Sequence, residues 1–278
     1  MTASERAATH YAIRGRAAWI RIDQPETRNA LTEQLLAELA DRLDAAIGEP
    51  RARAVVLTGS GSAFCAGADL KRGGAGVTSI ASREGAARAA GAAAEPDDNA
   101  FVAVLETMQQ SPKPVICAVN GHAFGGGIGL VAAADIAIAV RDAKFAFSEV
   151  RLGVIPAIIS VAVLPKLGAH HALRLFLTGD RFTAADAVGY GLVHRVVEPS
   201  ELESAVQAEI DLISQGAPQA LAEAKRLVRE VPRLPAREAY AYAAQASARK
   251  FASAEAAEGL AAFAQKRPPS WAAADRED

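Results

Sequence analysis

The chain has 278 residues, 51% of them hydrophobic and 22% charged, which suits a globule with a sizeable core. Thirty basic residues face thirty-two acidic ones for a formal charge of −2, so charge gives no reason to expect nucleic acid or an anionic membrane as partner. No apolar run reaches the ~18–20 residues of a membrane helix, and the most apolar stretch, Ile128 to Val140, is broken by Asp135.

The N-terminal MTASERAATH leads into no hydrophobic segment, so no secretory signal is expected. Two cysteines, Cys65 and Cys117, sit among small or apolar residues and are expected to be reduced core thiols of a cytoplasmic protein. Ala18 to Asp23 alternates as a half-buried strand does, and Pro25 ends it. Thr32 is placed to cap a helix to about Ile47, with Leu35, Leu36, Leu39, Leu43 and Ile47 on one face. Ala54 to Thr58 is a continuous apolar run, expected of a strand covered on both sides. From Arg72 to Asn99 the chain is rich in Gly and Ala and poorly patterned, so residues 72–99 are expected to form a mobile loop or lid.

Phe101 to Gln109 is expected to be helical and Val115 to Val119 a second buried strand. Gly125 to Gly129 opens a short helix that ends before Asp135, and Ile136 to Val140 and Lys144 to Phe147 follow as strands. Helices over Ala157–Leu167, His170–Leu177 and Thr183–Tyr190 lead to a strand at Val193–Val197. Beyond Pro199 the chain to Gln265 is amphipathic helix, broken near Gly216–Pro218 and Pro232–Pro235. The expected class is α/β over residues 1–198 with an all-helical region over 199–278, and no repeat shows in the sequence.

Three clusters are candidates for chemistry, each straight after a strand: Phe64–Asp69 (FCAGAD), Asn120–Gly129 (NGHAFGGGIG) and Phe147–Pro156 (FSEVRLGVIP). Small residues at such points let a ligand approach bare backbone N–H groups, and a helix start adds unpaired N–H groups and a favourable dipole. The glycine run is therefore either an oxyanion site or a device for close helix–sheet packing. Glu149 lies among Phe145, Phe147, Val150, Leu152 and Val154, a setting that raises a carboxyl pKa and suits a general acid/base. Its alternative is a carboxylate satisfied by Arg151, by a backbone amide or by solvent. Gly127-Ile-Gly129-Leu-Val-Ala132 also fits a dinucleotide fingerprint, with Glu149 downstream, though in poor context. His10, His122, His170, His171 and His194 show no metal-ligand spacing, and no G-x-S-x-G elbow is present. His122 adjoins the glycine run and is either a ligand contact or structural.

In order and spacing these clusters resemble the crotonase (enoyl-CoA hydratase/isomerase) superfamily. The matching text is RNAL at Arg28–Leu31, GSAFCAGADLK at Gly61–Lys71, KPVICAVNGHAFGGGIGLVAAADIAIA at Lys113–Ala139, FAFSEVRLGVIP at Phe145–Pro156, LTGDRFTAADAVGYGLVHRVV at Leu177–Val197 and EGLAAFAQKR at Glu258–Arg267. The resemblance implies a ββα spiral core with a C-terminal helical trimerisation region, assembled as a homotrimer or a dimer of trimers. It also implies an acyl-CoA thioester substrate, coenzyme A entering as part of that substrate with no separate cofactor and no metal. The N–H groups of Ala68 and Gly126 correspond to the family's oxyanion hole, with Gly125, Gly129 and Asp69 among the substrate-binding positions beside it. Ala66 and Leu70 correspond to positions beside the adenine, and Arg28 and Lys71 to positions meeting nucleotide or pantetheine. Lys266 corresponds to a residue that reaches a neighbouring subunit's coenzyme A.

One departure stands out. Family hydratases carry two glutamates, and here only the second is present, as Glu149, while Gly129 holds the first position. Hydration then needs Glu149 to act alone or with a surrogate from Glu95, Asp97 or Asp98, Asp135 being a poorer candidate because the family keeps an aspartate there for structure, and Gly129→Glu is expected to rebuild the missing partner. The GGGIGL and SEVRLGVIPAIIS text resembles a hydratase subgroup acting on branched glutaconyl-type esters, which points to 2-enoyl-CoA hydration. The alternative is a 3,2-enoyl-CoA isomerase, for which one carboxylate suffices. Further alternatives are an acyl-CoA decarboxylase or thioesterase, a silent acyl-CoA-binding protein and the dinucleotide-binding reading.

Overall fold

The computed structural model describes residues 7–69 and 99–272. Strands β1 (Thr9–Arg14) and β2 (Ala17–Ile22) form an antiparallel hairpin at one edge of a six-stranded sheet. The sheet continues through β3 (Ala54–Gly59), β5 (Val115–Val119), β7 (Ile136–Val140) and β10 (Arg195–Val197), all parallel from β2 onward. A second, four-stranded sheet orders β4 (Ala63–Cys65), β6 (His122–Phe124), β8 (Lys144–Ala146) and β9 (Arg181–Thr183), with only the last pair antiparallel.

The helices are α1 (Glu33–Gly48), α2 (Ala100–Gln110), α3 (Gly126–Ala133), α4 (Ala157–Thr178), α5 (Ala184–Gly189), α6 (Leu202–Gln215), α7 (Pro218–Glu230), α8 (Ala236–Phe251) and α9 (Ala254–Ala264). Three successive ββα turns follow from this order: β3–β4–α2, β5–β6–α3 and β7–β8–α4. Each turn sends its first strand to the large sheet and its second to the small one. Leu57 pairs with Cys117, and Cys117 with Ala137, while Ala63 pairs with His122 and Ala123 with Phe145. The repeat is one of backbone path, which is why no repeat shows in the residues. This is the expected crotonase-type spiral.

Local sequence explains the elements. Thr32 Oγ1 accepts the Leu35 N–H at 3.1 Å to start α1, whose Leu35, Leu36, Leu39 and Leu43 are buried. Asn99 caps α2 through the Phe101 and Val102 N–H groups. Every residue of α3 is buried, as a helix apolar all round should be. The two helices expected at 157–177 run together as α4, but Gly168 leaves helical geometry (φ 65, ψ 165) and marks the predicted break. The helix expected over Thr183–Tyr190 is α5, and Thr183, the last residue of β9, caps it in a reciprocal capping box with Asp186.

The short strands β4, β6 and β9 have three residues each, too few to show a period, and the edge hairpin strand β1 was also absent from the expectation. After Val197 the chain is helical as expected. Its first long helix, α6, packs on β3, β5 and β7 with Leu202, Ala205, Val206 and Ile210 buried. Beyond α6 little is buried: Ala246 alone in α8 and Ala262 alone in α9. Among the described residues no helix is long and apolar enough to cross a membrane.

Candidate active site

The site forms where three turns of the spiral end their small-sheet strands. From β4 comes Ala66–Asp69, from β6 comes Gly125–Gly126, and from β8 comes Glu149. Parallel stacking of the strands therefore brings three distant segments to one level, at the carboxyl ends of the strands where open α/β folds bind ligands.

The first segment is fixed by its backbone. Arg28 and Asn29 both take left-handed conformations (φ 56 and 59) after a 3-10 turn at Pro25–Thr27. The turn presents the Arg28 carbonyl to the Ala66 N–H at 3.0 Å, and the Leu31 N–H donates to the Gly67 carbonyl at 2.8 Å. Leu31 and Ala68 thus form a parallel bridge, which leaves the Ala68 N–H on the side turned away from Leu31. Gly67 (φ 84) passes so close to the second segment that a Cβ on it would stand 2.7 Å from the Phe124 carbonyl oxygen and 3.3 Å from the Gly126 nitrogen. Ala68 and Gly126 are thereby held side by side. Gly126 is the first residue of α3, so its N–H has no acceptor within the helix.

Glu149 opens a 3-10 turn, Glu149–Leu152, closed by Gly153 in the left-handed region. Its carboxylate lies over Gly125: a Cβ there (φ 49) would meet Oε1 at 3.1 Å. Oε2 is buried with no hydrogen-bond partner among the described residues. Burial pushes the carboxyl pKa above its ordinary value, and only its own backbone N–H pulls the other way. The burying side differs from expectation. Phe145 and Phe147 are fully buried, with Phe147 edge-on to Phe176 at 4.8 Å, but Leu152 and Val154 are 54% and 53% exposed. Arg151 does not neutralise Glu149, because its Nε donates to the Thr178 carbonyl at 3.1 Å.

The remaining expected residues divide clearly. Arg28 keeps an exposed side chain while its main chain holds the first segment, and Ala66 and Asp69 are half-buried there. Leu70, Lys71, Glu95, Asp97, Asp98 and almost all of the expected lid lie outside the described residues. Lys266 stands in a left-handed turn after α9 (φ 54), and no contact links it to the Glu149 group among the described residues. Gly129 is closed off from any ligand: a Cβ on it would stand 2.5 Å from Ile159 Cγ2 and 3.3 Å from Phe101 Cζ. The expectation that Gly129→Glu simply rebuilds a partner is corrected by this packing.

Asp135 is no surrogate acid. Its Oδ2 accepts the Val115 N–H at 2.7 Å and pairs with Lys225 Nζ at 2.6 Å. The dinucleotide reading fails on the same ground as Gly129, since Gly127 is pressed against the Cys65 carbonyl, where a Cβ would come to 2.3 Å, leaving no open backbone for a pyrophosphate. His122 is structural, its Nδ1 accepting the Lys144 N–H at 3.2 Å. Both cysteines are buried and free, and burial pushes the Cys65 thiol up to about 12. No group of three or more His, Cys, Asp or Glu among the described residues is placed to hold a metal.

Asn29 enters the sequence reading only as part of RNAL, yet it is fully buried and its Nδ2 donates to the carbonyls of Ser60, Ala63 and Phe64 at 3.0, 2.8 and 3.2 Å. It braces β4 just before the Ala66–Asp69 segment. The available signal was a polar residue beside the apolar pair Ala30–Leu31.

A spiral of ββα turns with paired backbone donors beside a buried carboxylate defines a crotonase-type protein, and comparison with known proteins agrees. The family model described as enoyl-CoA hydratase/isomerase matches residues 13–274. The carnitinyl-CoA dehydratase of Proteus mirabilis is 34% identical over 270 residues, covering 94% of this chain and 97% of that protein. The crystal structure of an enoyl-CoA hydratase from Shewanella pealeana superposes with a TM-score of 0.86 at 30% identity, covering 96% of this chain and 97% of that one. An enoyl-CoA hydratase/isomerase from Marinobacter aquaeolei gives 0.83 at 35% identity, covering 96% and 99%. The chain belongs to the enoyl-CoA hydratase/isomerase family.

Proposed function

We propose that the protein is an enoyl-CoA hydratase, adding water across the double bond of a 2-enoyl-CoA thioester and catalysing the reverse dehydration. The observation that carries this reading is the half-buried Glu149 carboxylate, with one oxygen buried and unpartnered among the described residues, over the start of α3 beside the Ala68 and Gly126 amides. The thioester oxygen lies between those two N–H groups. As water attacks Cβ, Glu149 takes one of its protons and the double-bond electrons move through Cα onto the oxygen, giving an enolate. Glu149, now the acid, returns that proton to Cα as the electrons fall back, and ends as the carboxylate. Each preorganised donor contributes about 3–4 kcal/mol where charge develops.

Coenzyme A is assigned to Arg28, Ala66, Asp69, Leu70 and Lys71, with Gly125 beside the acyl group. Lys266 is assigned to the coenzyme A of a neighbouring subunit in a homotrimer or dimer of trimers. Exposed apolar side chains on α4 and in the C-terminal helices, among them Leu173, Leu177, Tyr240 and Phe263, support burial against further copies. The buried free thiols suit a reducing compartment such as the cytoplasm.

A second reading, 3,2-enoyl-CoA isomerisation, is favoured by the single carboxylate, which can remove a proton at Cα and return it at Cγ. The test is a paired assay on a 2-enoyl-CoA and its 3-enoyl isomer, with products followed by mass and ultraviolet absorbance. Gain of one water by the 2-enoyl substrate is expected. Conversion of the 3-enoyl substrate without change of mass, and no hydration, would replace the hydratase by the isomerase.

A further inference from the structure

Gly125 is the N-cap of α3, in a non-helical conformation (φ 49, ψ −116), and its carbonyl accepts the N–H of Gly129, one turn into the helix, at 3.2 Å. What stands over them differs. Gly125 faces the Glu149 carboxylate, 3.1 Å from a would-be Cβ, and Gly129 faces Ile159, whose γ2 methyl comes to 2.5 Å. Both opposing side chains come from one short run, because Glu149 opens the 3-10 turn and Ile159 sits in the first turn of α4. Ile159 is 3% exposed and Phe101, at 3.3 Å from the same point, is fully buried, so neither has room to retreat. The N-cap of α3 is therefore faced by a carboxylate, and the first turn of the helix by a methyl.

We propose that Ile159 is a specificity-determining positioning residue that holds this site to a single carboxylate, because its γ2 methyl occupies the space through which any side chain from position 129 would have to leave the helix. Gly129 and Ile159 are then one unit: either residue changed alone is costly, and the two changed together open a place for a second carboxylate about one helical turn from Glu149. This rests on the reading of Glu149 as the acid/base.

The experiment separates the packing from the catalysis. First, Gly129→Ala is made in the native chain and in an Ile159→Ala background, and Tm is measured in all four proteins. The expected result is a fall of several degrees on adding the methyl to the native chain and little or no fall in the Ile159→Ala background. Equal falls in both backgrounds would overturn the proposal, and this arm needs no knowledge of substrate. Second, Gly129→Glu is combined with Ile159→Ala, and the Glu149 carboxyl is titrated by carbon-13 NMR. A second carboxylate nearby shifts the Glu149 titration further upward, and an unmoved titration would overturn the statement that position 129 opens onto the site. Third, Glu149→Gln is added to that pair. Recovery of hydration by at least tenfold over Glu149→Gln alone is expected, and no recovery alongside positive results in the first two arms would overturn the assignment of Ile159 as specificity-determining. Absence of hydration in the native protein itself would instead remove the hydratase reading and leave the first two arms standing.

Discussion

Two carboxylates lie at opposite ends of α3 and are treated in opposite ways. Asp135, where α3 gives way to β7, is saturated: its Oδ2 takes a backbone N–H from Val115 and the ammonium of Lys225. Glu149, after β8, is left with a buried oxygen that nothing among the described residues satisfies. A fold that can supply a cation and an amide to one acid has the means to supply them to another. The contrast separates a carboxylate that ties α7 to the core from one kept available for a proton.

The sharpest break in the comparison is to remove each acid in turn. Glu149→Gln is expected to lower kcat for hydration by about 10²–10⁴-fold, the usual weight of a general acid/base, with folding intact by circular dichroism. Asp135→Ala is expected to do the reverse. It leaves Lys225 without its carboxylate and the Val115 N–H without an acceptor, and costs on the order of 3 kcal/mol in urea unfolding. Asn29→Ala strips the donor from three carbonyls and is expected to cost about 1–3 kcal/mol. It should also lower kcat, since the bracing of β4 precedes Ala68.

The smallest effect is the most diagnostic. The folded pKa of Glu149 lies above its unfolded value, so the native state holds the proton more tightly. Stability is then lost as pH rises from the ordinary carboxyl range through that raised value, and stays lost above it. Glu149→Gln should therefore raise Tm at pH 7–8 relative to the native protein, and the gain should vanish near pH 4. A gain independent of pH would show that the carboxyl is not desolvated. In the same window, kcat/KM of the native protein is expected to rise with pH as the base form appears.

Much of this architecture was legible because the deciding signals are local. The cap at Thr32, the apolar runs of β3, β5 and β7, and the breaks at Gly168 and Pro218 each act within a few residues. The site segments were legible for a different reason, their motif text. What stayed hidden depends on contacts across the fold. Strands β4, β6 and β9 of the small sheet have no period to read, and the bracing by Asn29 spans more than thirty residues. The closure of Gly129 by Ile159 links two apolar-looking segments far apart in the chain, so glycine there read as an absence of a side chain rather than as the fit of another.

The stacked turns also govern the order in which the Ala68, Gly126 and Glu149 group can be assembled. Thr58 Oγ1 reaches the Ala118 carbonyl across sixty residues of sequence, and parallel neighbours always need a crossover rather than a tight turn. Such long-range pairing makes for slow folding, since loop-closure entropy precedes the reward of contact. On a chain emerging from the ribosome, the Ala68 and Gly126 donors can meet once the second turn docks, but the base arrives only with the third. If Glu149 is the base, a chain folding in that order holds the paired amides before it holds the proton acceptor.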